Sequence, residues 1–394
     1  MSGAPEIKYC VNCVMPSSAA TPLEFDEKGV CSGCRVDSQK GKIDWEQRGD
    51  ELREIFEQYR SKDGSNYDCI IPVSGGKDSH FQTYYVTQVL GLKPLLVTYH
   101  GNNYLDVGRR NLRNLRERFG CDHIFFSPSV PALKKINRLC FRMMGDMNWH
   151  AHCGIFTYPI QIAVQHEIPL LVWGEHGFLD LGGMYSLRDR IEMTAKFRLE
   201  HAQRGYDWHD MIEETEGLTA QDLLWARYPS DEKLAEVGVR GIYLGNYVNW
   251  EANTQTELMI EEFGFEPNPE PFERTYRRMS NLDDMHENGI HDYLKYVKFG
   301  YGRGTDHATK DVRSGHMTRE EGIEMVEKYD HVKPRKDLER WLEYVGMSEE
   351  EFDETADTFR DPRVWGRDEN GEWVKDSIRE FDKRRAGEAQ QTVG

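Results

Sequence analysis

The sequence predicts an α/β protein, a parallel β-sheet with helices on both faces, with an N-terminal zinc knuckle and a helical C-terminal part. Three observations carry that prediction. From residue 44 short apolar runs alternate with amphipathic stretches, the pattern of strands joined by crossover helices. The first apolar run ends in Ser74-Gly75-Gly76-Lys77-Asp78-Ser79, a strand-to-helix corner suited to phosphate. Before it, Cys10, Cys13, Cys31 and Cys34 stand as two CxxC pairs.

Taken in order, residues 8–36 are short, turn-rich and punctuated by cysteine. Seventeen residues separate Cys13 from Cys31, which fits a four-thiolate zinc site. Pro16, Pro22 and Gly29 suit a loop that brings two tight turns face to face. A closed four-sulfur site leaves no position for water, so the expected role of Zn2+ is structural. An iron–sulfur cluster is the minor alternative, and four unrelated thiols the bland one.

Residues 44–60 read as an amphipathic helix, with Trp45, Leu52, Ile55, Phe56 and Tyr59 near helical spacing. Residues 67–73 form the first strand and 78–91 a helix. Residues 94–100 are the second strand, 105–119 a helix and 123–126 the third strand. Helices follow at 131–147 and 154–167, then a fourth strand at 169–174. In such sheets the ligand lies beyond the carboxyl ends of the strands, so Ser74, His100 and Gly174 should share one edge. The alternation fades after 185. Residues 188–236 read as mixed, charged and helical, 243–247 as a late strand, and 266–271 as a hinge-like loop. Helices are expected at 282–299, 318–329 and 335–345. The tail from 348 is acidic, and its last ten residues are expected to be disordered. The implied division is a knuckle (1–43), a nucleotide domain (44–265), a helical substrate or partner region (266–347) and the tail (348–394).

Composition bounds the function. The chain has 394 residues, 38% of them hydrophobic, and a mean hydropathy of -0.72. No apolar run approaches membrane-spanning length, and residues 1–5 lack the features of a secretory signal, so a cytoplasmic location is expected. The net charge of -18 speaks against a protein that wraps nucleic acid, although a basic patch can sit within an acidic total. A saline habitat would also produce it. Eight cysteines in such a chain are not a disulfide framework.

The cradle departs from the GxxxxGK[ST] spacing. Gly75 and Gly76 let the backbone turn its N–H groups toward an anion at a helix N-terminus. Ser74 and Ser79 add hydroxyls, Lys77 a charge, and Asp78 a ligand for Mg2+. The bland alternative is a polar corner.

Ser74 to Ser79 resembles the PP-loop of the N-type ATP pyrophosphatases, which include GMP synthetase, asparagine synthetase and tRNA-thiolating enzymes. Further stretches resemble the N-acetyl sugar amidotransferases of bacterial surface-glycan synthesis (the PseA/WbpG type). These are residues 9–16 (YCVNCVMP), 24–26, 29–35 (GVCSGCR), 291–303 (HDYLKYVKFGYGR), 305–307 and 313–321 (RSGHMTREE). The resemblance spans roughly residues 8–345. It implies an enzyme that adenylates the oxygen of an N-acetyl group on a nucleotide-activated sugar, releases pyrophosphate, and lets ammonia expel AMP to leave an acetamidino group. Such products serve O-antigen and nonulosonic acid synthesis. ATP and Mg2+ are the implied cofactors.

On that reading Lys77, Asp78, Glu175 and Arg303 are the expected catalytic residues. Ser74, Gly75, Gly76, Lys77, Asp78, Ser79, His100 and Gly174 are expected at ATP. Glu175 touches magnesium or incoming ammonia, or is a polar strand end. His100 borders adenosine or caps its strand. Substrate contacts are expected from Asn246, Tyr247, His291, Lys295, Lys298, Arg303, Asp306 and His307. The glycine-flanked Arg303 suits close approach to a diphosphate. A solvated charged face is the ordinary reading of 291–307, and core packing that of Tyr247. No glutaminase constellation is visible, so a separate glutaminase subunit should supply ammonia. Cys153 is a weak candidate nucleophile, and it keeps tRNA thiolation as the alternative function.

Overall fold

The computed structural model of the chain describes residues 4–212, 216–279 and 285–392. The knuckle carries α1 (Ser32–Asp37) and leads into α2 (Trp45–Tyr59). Then come β1 (Cys69–Pro72), α3 (Lys77–Tyr84), β2 (Pro94–Tyr99), α4 (Asp106–Phe119), β3 (Asp122–Phe126), α5 (Val130–Met144), α6 (Trp149–Gln165) and β4 (Leu170–Trp173). A single turn α7 (Ala195–Phe197), α8 (Asp231–Val237), β5 (Arg240–Tyr243) and α9 (Ala252–Phe263) complete this half. The C-terminal part holds α10 (Glu287–Phe299), α11 (Arg303–Arg313), α12 (Arg319–Tyr329), α13 (Arg335–Val345) and α14 (Glu349–Asp357). The hairpin β6 (Trp365–Arg367) and β7 (Trp373–Lys375) and then α15 (Ile378–Thr392) end it.

The large sheet is parallel throughout, with the order β3-β2-β1-β4-β5. Its strands alternate between two cores. Ile71, Val73, Leu96, Val172 and Ile242 pack with Leu52, Phe56 and Leu115 on one face. Ile70, Leu95, Val97, Leu171 and Tyr243 pack with Ile160 and Ala163 on the other. Burial on both faces explains the continuous apolar runs, and each fully buried aliphatic side chain contributes roughly 1.5–3 kcal/mol. From β1 the chain runs outward through β2 and β3, then returns to place β4 on the opposite side. That reversal opens a crevice beyond the ends of β1 and β4.

Several expectations change. The late strand occupies 240–243, not 243–247: it pairs with β4 from Arg240, and Leu244–Asn246 turns away as one 3-10 turn. Between 188 and 230 the described residues hold only short helical pieces, the longest the unbroken stretch 195–202. Residues 300–302 are a tight helix-to-helix connection rather than a phosphate loop: Gly300 ends α10, Gly302 caps α11, and Arg303 opens it. A Cβ at Gly302 or Gly304 would lie 3.0 or 2.7 Å from Asp330, whose carboxylate accepts the Thr305 N–H at 2.9 Å. Those glycines therefore serve a helix–helix contact. Residues 282–284 lie outside the described residues.

The segment from 348 folds back on the N-terminus. Val364, Trp365 and Ile378 share a core with Ile7, Tyr9, Ala308 and Ile323. Asp376 accepts the Ile7 N–H at 2.9 Å, and the Arg319 guanidinium reaches the carbonyls of Cys10 and Cys13 at 3.2 and 3.1 Å. Among the described residues no helix is long and apolar enough to cross a membrane.

Candidate functional site

The cradle follows β1. Gly75 has φ +94°, and a Cβ there would lie 2.7 Å from Leu112 on α4, so neither the backbone nor the space admits a side chain. Ser79 Oγ accepts the Ser74 N–H at 2.9 Å and closes the loop, and Gly76 caps α3. The first-turn N–H groups of α3, which begins at Lys77, have no intrahelical partners. His80, which sequence reasoning missed, holds the corner: its Nδ1 lies 3.0 Å from the Gly76 carbonyl, and its Nε2 accepts from Asn114 Nδ2 at 3.1 Å. Burial lowers its pKa to about 4, so it is neutral and donates from Nδ1. Lys77 is 4% exposed, and its Nζ bonds both Asp78 oxygens at 2.7 and 2.8 Å.

A cavity of about 230 Å³ lies over the cradle, lined by Ser74, Asp78 and Ser79 on one side and Gly174 and Glu175 on the other. Tyr99, Tyr104, Ile155 and Phe156 form its apolar wall. Gly174 packs against Gln82 and Trp250. Glu175 also lines two further cavities. One, again about 230 Å³, includes Lys40, Asp180, Lys310 and Arg313, and a smaller one includes Asn246 and Trp250. Glu175 thus stands where three cavities meet.

Lys310, from α11, bridges Glu175 Oε1 at 3.0 Å and Asp180 Oδ2 at 2.6 Å, and Lys40 lies 3.8 Å from Asp180. Burial raises the Glu175 carboxyl above its ordinary range, and neighbouring Asp180 adds to that. Asp180 is also buried, but Lys310 and Lys40 outweigh burial and hold it down to about 2. Burial would lower the Lys310 pKa, yet the two carboxylates raise it.

The four cysteine sulfurs lie within 4.8 Å of one another, with Cys10–Cys34 at 3.9 Å and Cys13–Cys31 at 3.8 Å, and all four residues are buried. A tetrahedron with ~2.3 Å metal–sulfur bonds has edges of about 3.8 Å, so the set fits a tetrahedral metal ion. Arg313 completes it. Its guanidinium donates to Cys34 Sγ at 3.4 Å and Cys31 Sγ at 3.5 Å, and also to the carbonyls of Asp180 and Leu181 at 2.8 and 3.0 Å. One side chain ties the knuckle to the loop that carries Asp180.

The other expected residues are placed as follows. His100 lies outside the cleft: it stacks on Tyr104 with centroids 4.2 Å apart and lines a separate groove. Asn246 is buried with its Nδ2 on the Ile191 carbonyl at 2.8 Å. Tyr247 is 2% exposed in the sheet core. His291 pairs with buried Asp146 at 2.9 Å, and Lys298 Nζ reaches the Met144 carbonyl at 3.4 Å. Arg303 bridges Asp292 at 2.7 Å and Asp306 at 3.1 Å, Arg274 holds the far side of Asp292, and Lys295 pairs with Asp306. His307 Nδ1 lies 2.6 Å from Thr275 Oγ1. None of the set 291–307 lines the cleft over the cradle or the cavity beside it. These residues form a buried charge network joining α10 to α11. Cys153 is fully buried beside Gln203, and burial pushes its thiol up to about 12, which disfavours the thiolate.

The sheet and the cradle define the class, an α/β protein with a five-stranded parallel sheet and a glycine-turned strand-to-helix corner, with an added cysteine knuckle and helical C-terminal part. Residues 272–379 match the family model described as "LPS biosynthesis protein WbpG-like, C-terminal domain". The matched segment includes α10 to α14 and the hairpin, and thus Lys310 and Arg313. No curated protein matches the chain in sequence. Similar solved structures include NMN synthetase from Francisella tularensis, 14% identical with a TM-score of 0.28 over 50% of this chain and 91% of that one. The NH3-dependent NAD synthetase from Campylobacter jejuni is 11% identical with a TM-score of 0.28, over 50% and 92%. The U34-tRNA thiolase NcsA from Methanococcus maripaludis, with its [4Fe-4S] cluster, is 14% identical with a TM-score of 0.28, over 78% and 86%.

Proposed function

We propose that the protein is a cytoplasmic ATP-dependent amidotransferase that converts the N-acetyl group of a nucleotide-activated sugar to an acetamidino group, in surface-glycan synthesis. One observation carries the reading. The WbpG-like segment and the PP-loop build a single site, because Lys310 of the first reaches Glu175 beside the second.

The chemistry assigns each part. The acetyl oxygen attacks the α-phosphate of ATP, pyrophosphate leaves, and ammonia then displaces AMP, which carries away that oxygen. The cradle N–H groups, Ser74, Ser79 and Lys77 hold the departing pyrophosphate. Asp78 lines the cleft and would hold Mg2+, which supplies charge neutralisation at the phosphates. The raised pKa of Glu175 suits it to take a proton as the amine adds. The four cysteines hold Zn2+ as a brace. The second cavity beside Glu175 is the entry for ammonia from a glutaminase subunit, docked near the C-terminal helices.

The test is direct. Purified protein with ATP, magnesium, ammonium and a panel of nucleotide-linked acetamido sugars should yield AMP and pyrophosphate with one of them. Release of ADP would reject the reading.

A further inference from the structure

A groove of about 270 Å³ runs between α4 and the edge strand β3. Arg109, Arg113 and Arg116 rise from α4 at spacings of four and three, so they share one helix face. Among the described residues no carboxylate pairs with Arg109 or Arg113, and Arg116 has only the exposed Glu117, 3.9 Å away. The other arginines on the exposed side of α4 are committed: Arg110 to Glu266 at 2.8 Å, and Arg118 to the Glu262 carbonyl. Three adjacent guanidinium groups, two of them with no carboxylate partner among the described residues and the third with one exposed partner, stand out in a chain of net charge -18.

The floor of the groove is aromatic. Phe125 is 48% exposed, with its ring 4.6 Å from His100 and 5.8 Å from His123. The two imidazoles are anchored, His100 Nδ1 to Ser127 Oγ at 2.9 Å and His123 Nε2 to Thr98 Oγ1 at 2.8 Å. Burial first, and then Arg109 or Arg116, lowers each to about 4, so the positive charge of the groove resides on the arginines.

The groove backs onto the cleft. Leu112 lines it and fills the space beside Gly75 of the cradle. His100 lines it and stacks on Tyr104, which lines the cleft. One leucine and one stacked ring pair form the dividing wall.

We propose that this groove seats the nucleotide end of the activated sugar, with its phosphates on Arg109, Arg113 and Arg116 and its base against Phe125. The inference rests on the reading of the protein as a nucleotide-sugar enzyme, whose reaction requires two nucleotides bound together. The cradle serves one of them. Guanidinium forks match phosphate oxygens, and an exposed ring stacks any base.

The test is calorimetric titration with UDP, GDP, dTDP and CMP in turn, each in the presence of a saturating α,β-methylene analogue of ATP. One of the four should bind beside the analogue. Arg113→Glu should weaken it at least about tenfold, as expected for a lost charged hydrogen bond, and Phe125→Ala about fivefold or more. The affinity for the analogue should not change. Both positions are exposed, so the fold tolerates the changes. The proposal is overturned if none of the four binds beside the analogue, if both variants bind like wild type, or if the analogue weakens in parallel. Retention of tRNA that Arg113→Glu abolishes, without nucleotide binding, would assign the groove to nucleic acid and also overturn it. If a nucleotide binds as described but no acetamido sugar supports AMP release, the groove assignment stands and the enzymatic reading alone fails.

Discussion

Lys310 Nζ lies 3.0 Å from Glu175 Oε1, joining the WbpG-like segment to the loop that follows β4. The contact is largely withdrawn from water, with side-chain exposures of 18% and 12%. Removing the lysine leaves two buried carboxylates facing one another.

Lys310→Met should therefore destabilise the protein by about 3–5 kcal/mol, the usual cost of breaking a buried pair from one side. AMP formation should fall as well. Lys310→Arg should recover most of the stability. Urea titration of the three proteins checks this, and equal midpoints would show that the bridge carries no energy.

Lys77→Ala should lower AMP formation at least about a hundredfold, the scale of losing one preorganised donor at a developing charge. The secondary structure should persist, because α3 is capped through Gly76 rather than through the lysine. Turnover and far-UV circular dichroism measured together separate the two effects.

Arg313 donates to three of the cysteine sulfurs, and hydrogen bonds of this kind typically govern metal affinity by 10–100-fold. Arg313→Gln should release zinc to a chromophoric chelator faster by roughly that factor. Cys31→Ser should lose metal and stability together. Full stability of Cys31→Ser with loss of adenylation would instead place the knuckle in the catalytic site.

Glu287 is 1% exposed, and burial pushes its carboxyl up to about 7. The folded state therefore holds this proton more tightly than the unfolded chain. The stability it contributes is complete below its ordinary pKa and is lost as pH rises through about 7. Glu287→Gln should remove that loss and be more stable than wild type at pH ~8, by about 3 kcal/mol at most. Thermal melts across that range give the sign.

The strands were legible because each is a short run buried on both faces, as at Ile70–Ile71, Leu95–Val97 and Leu170–Val172. The cradle and the cysteines were legible because their ligands are local in sequence. Lys40, Asp180 and Lys310 were not, since they come from three distant segments and share no spacing. The run 300–304 misled for a physical reason: Gly302 and Gly304 make room for Asp330, whereas the same pattern in isolation reads as a phosphate loop. His100 ends a strand at the ligand edge, but its ring turns outward onto Tyr104, an orientation that sequence does not encode locally.

The central claim is that the acetyl oxygen becomes the leaving group. It is tested by supplying the acetamido sugar with a heavy oxygen isotope in its acetyl carbonyl, together with ATP, magnesium and ammonium. Mass spectrometry should find the isotope in the phosphate of AMP and an acetamidino sugar that has lost it. Unlabelled AMP, or ADP with the label retained in the sugar, would contradict the account.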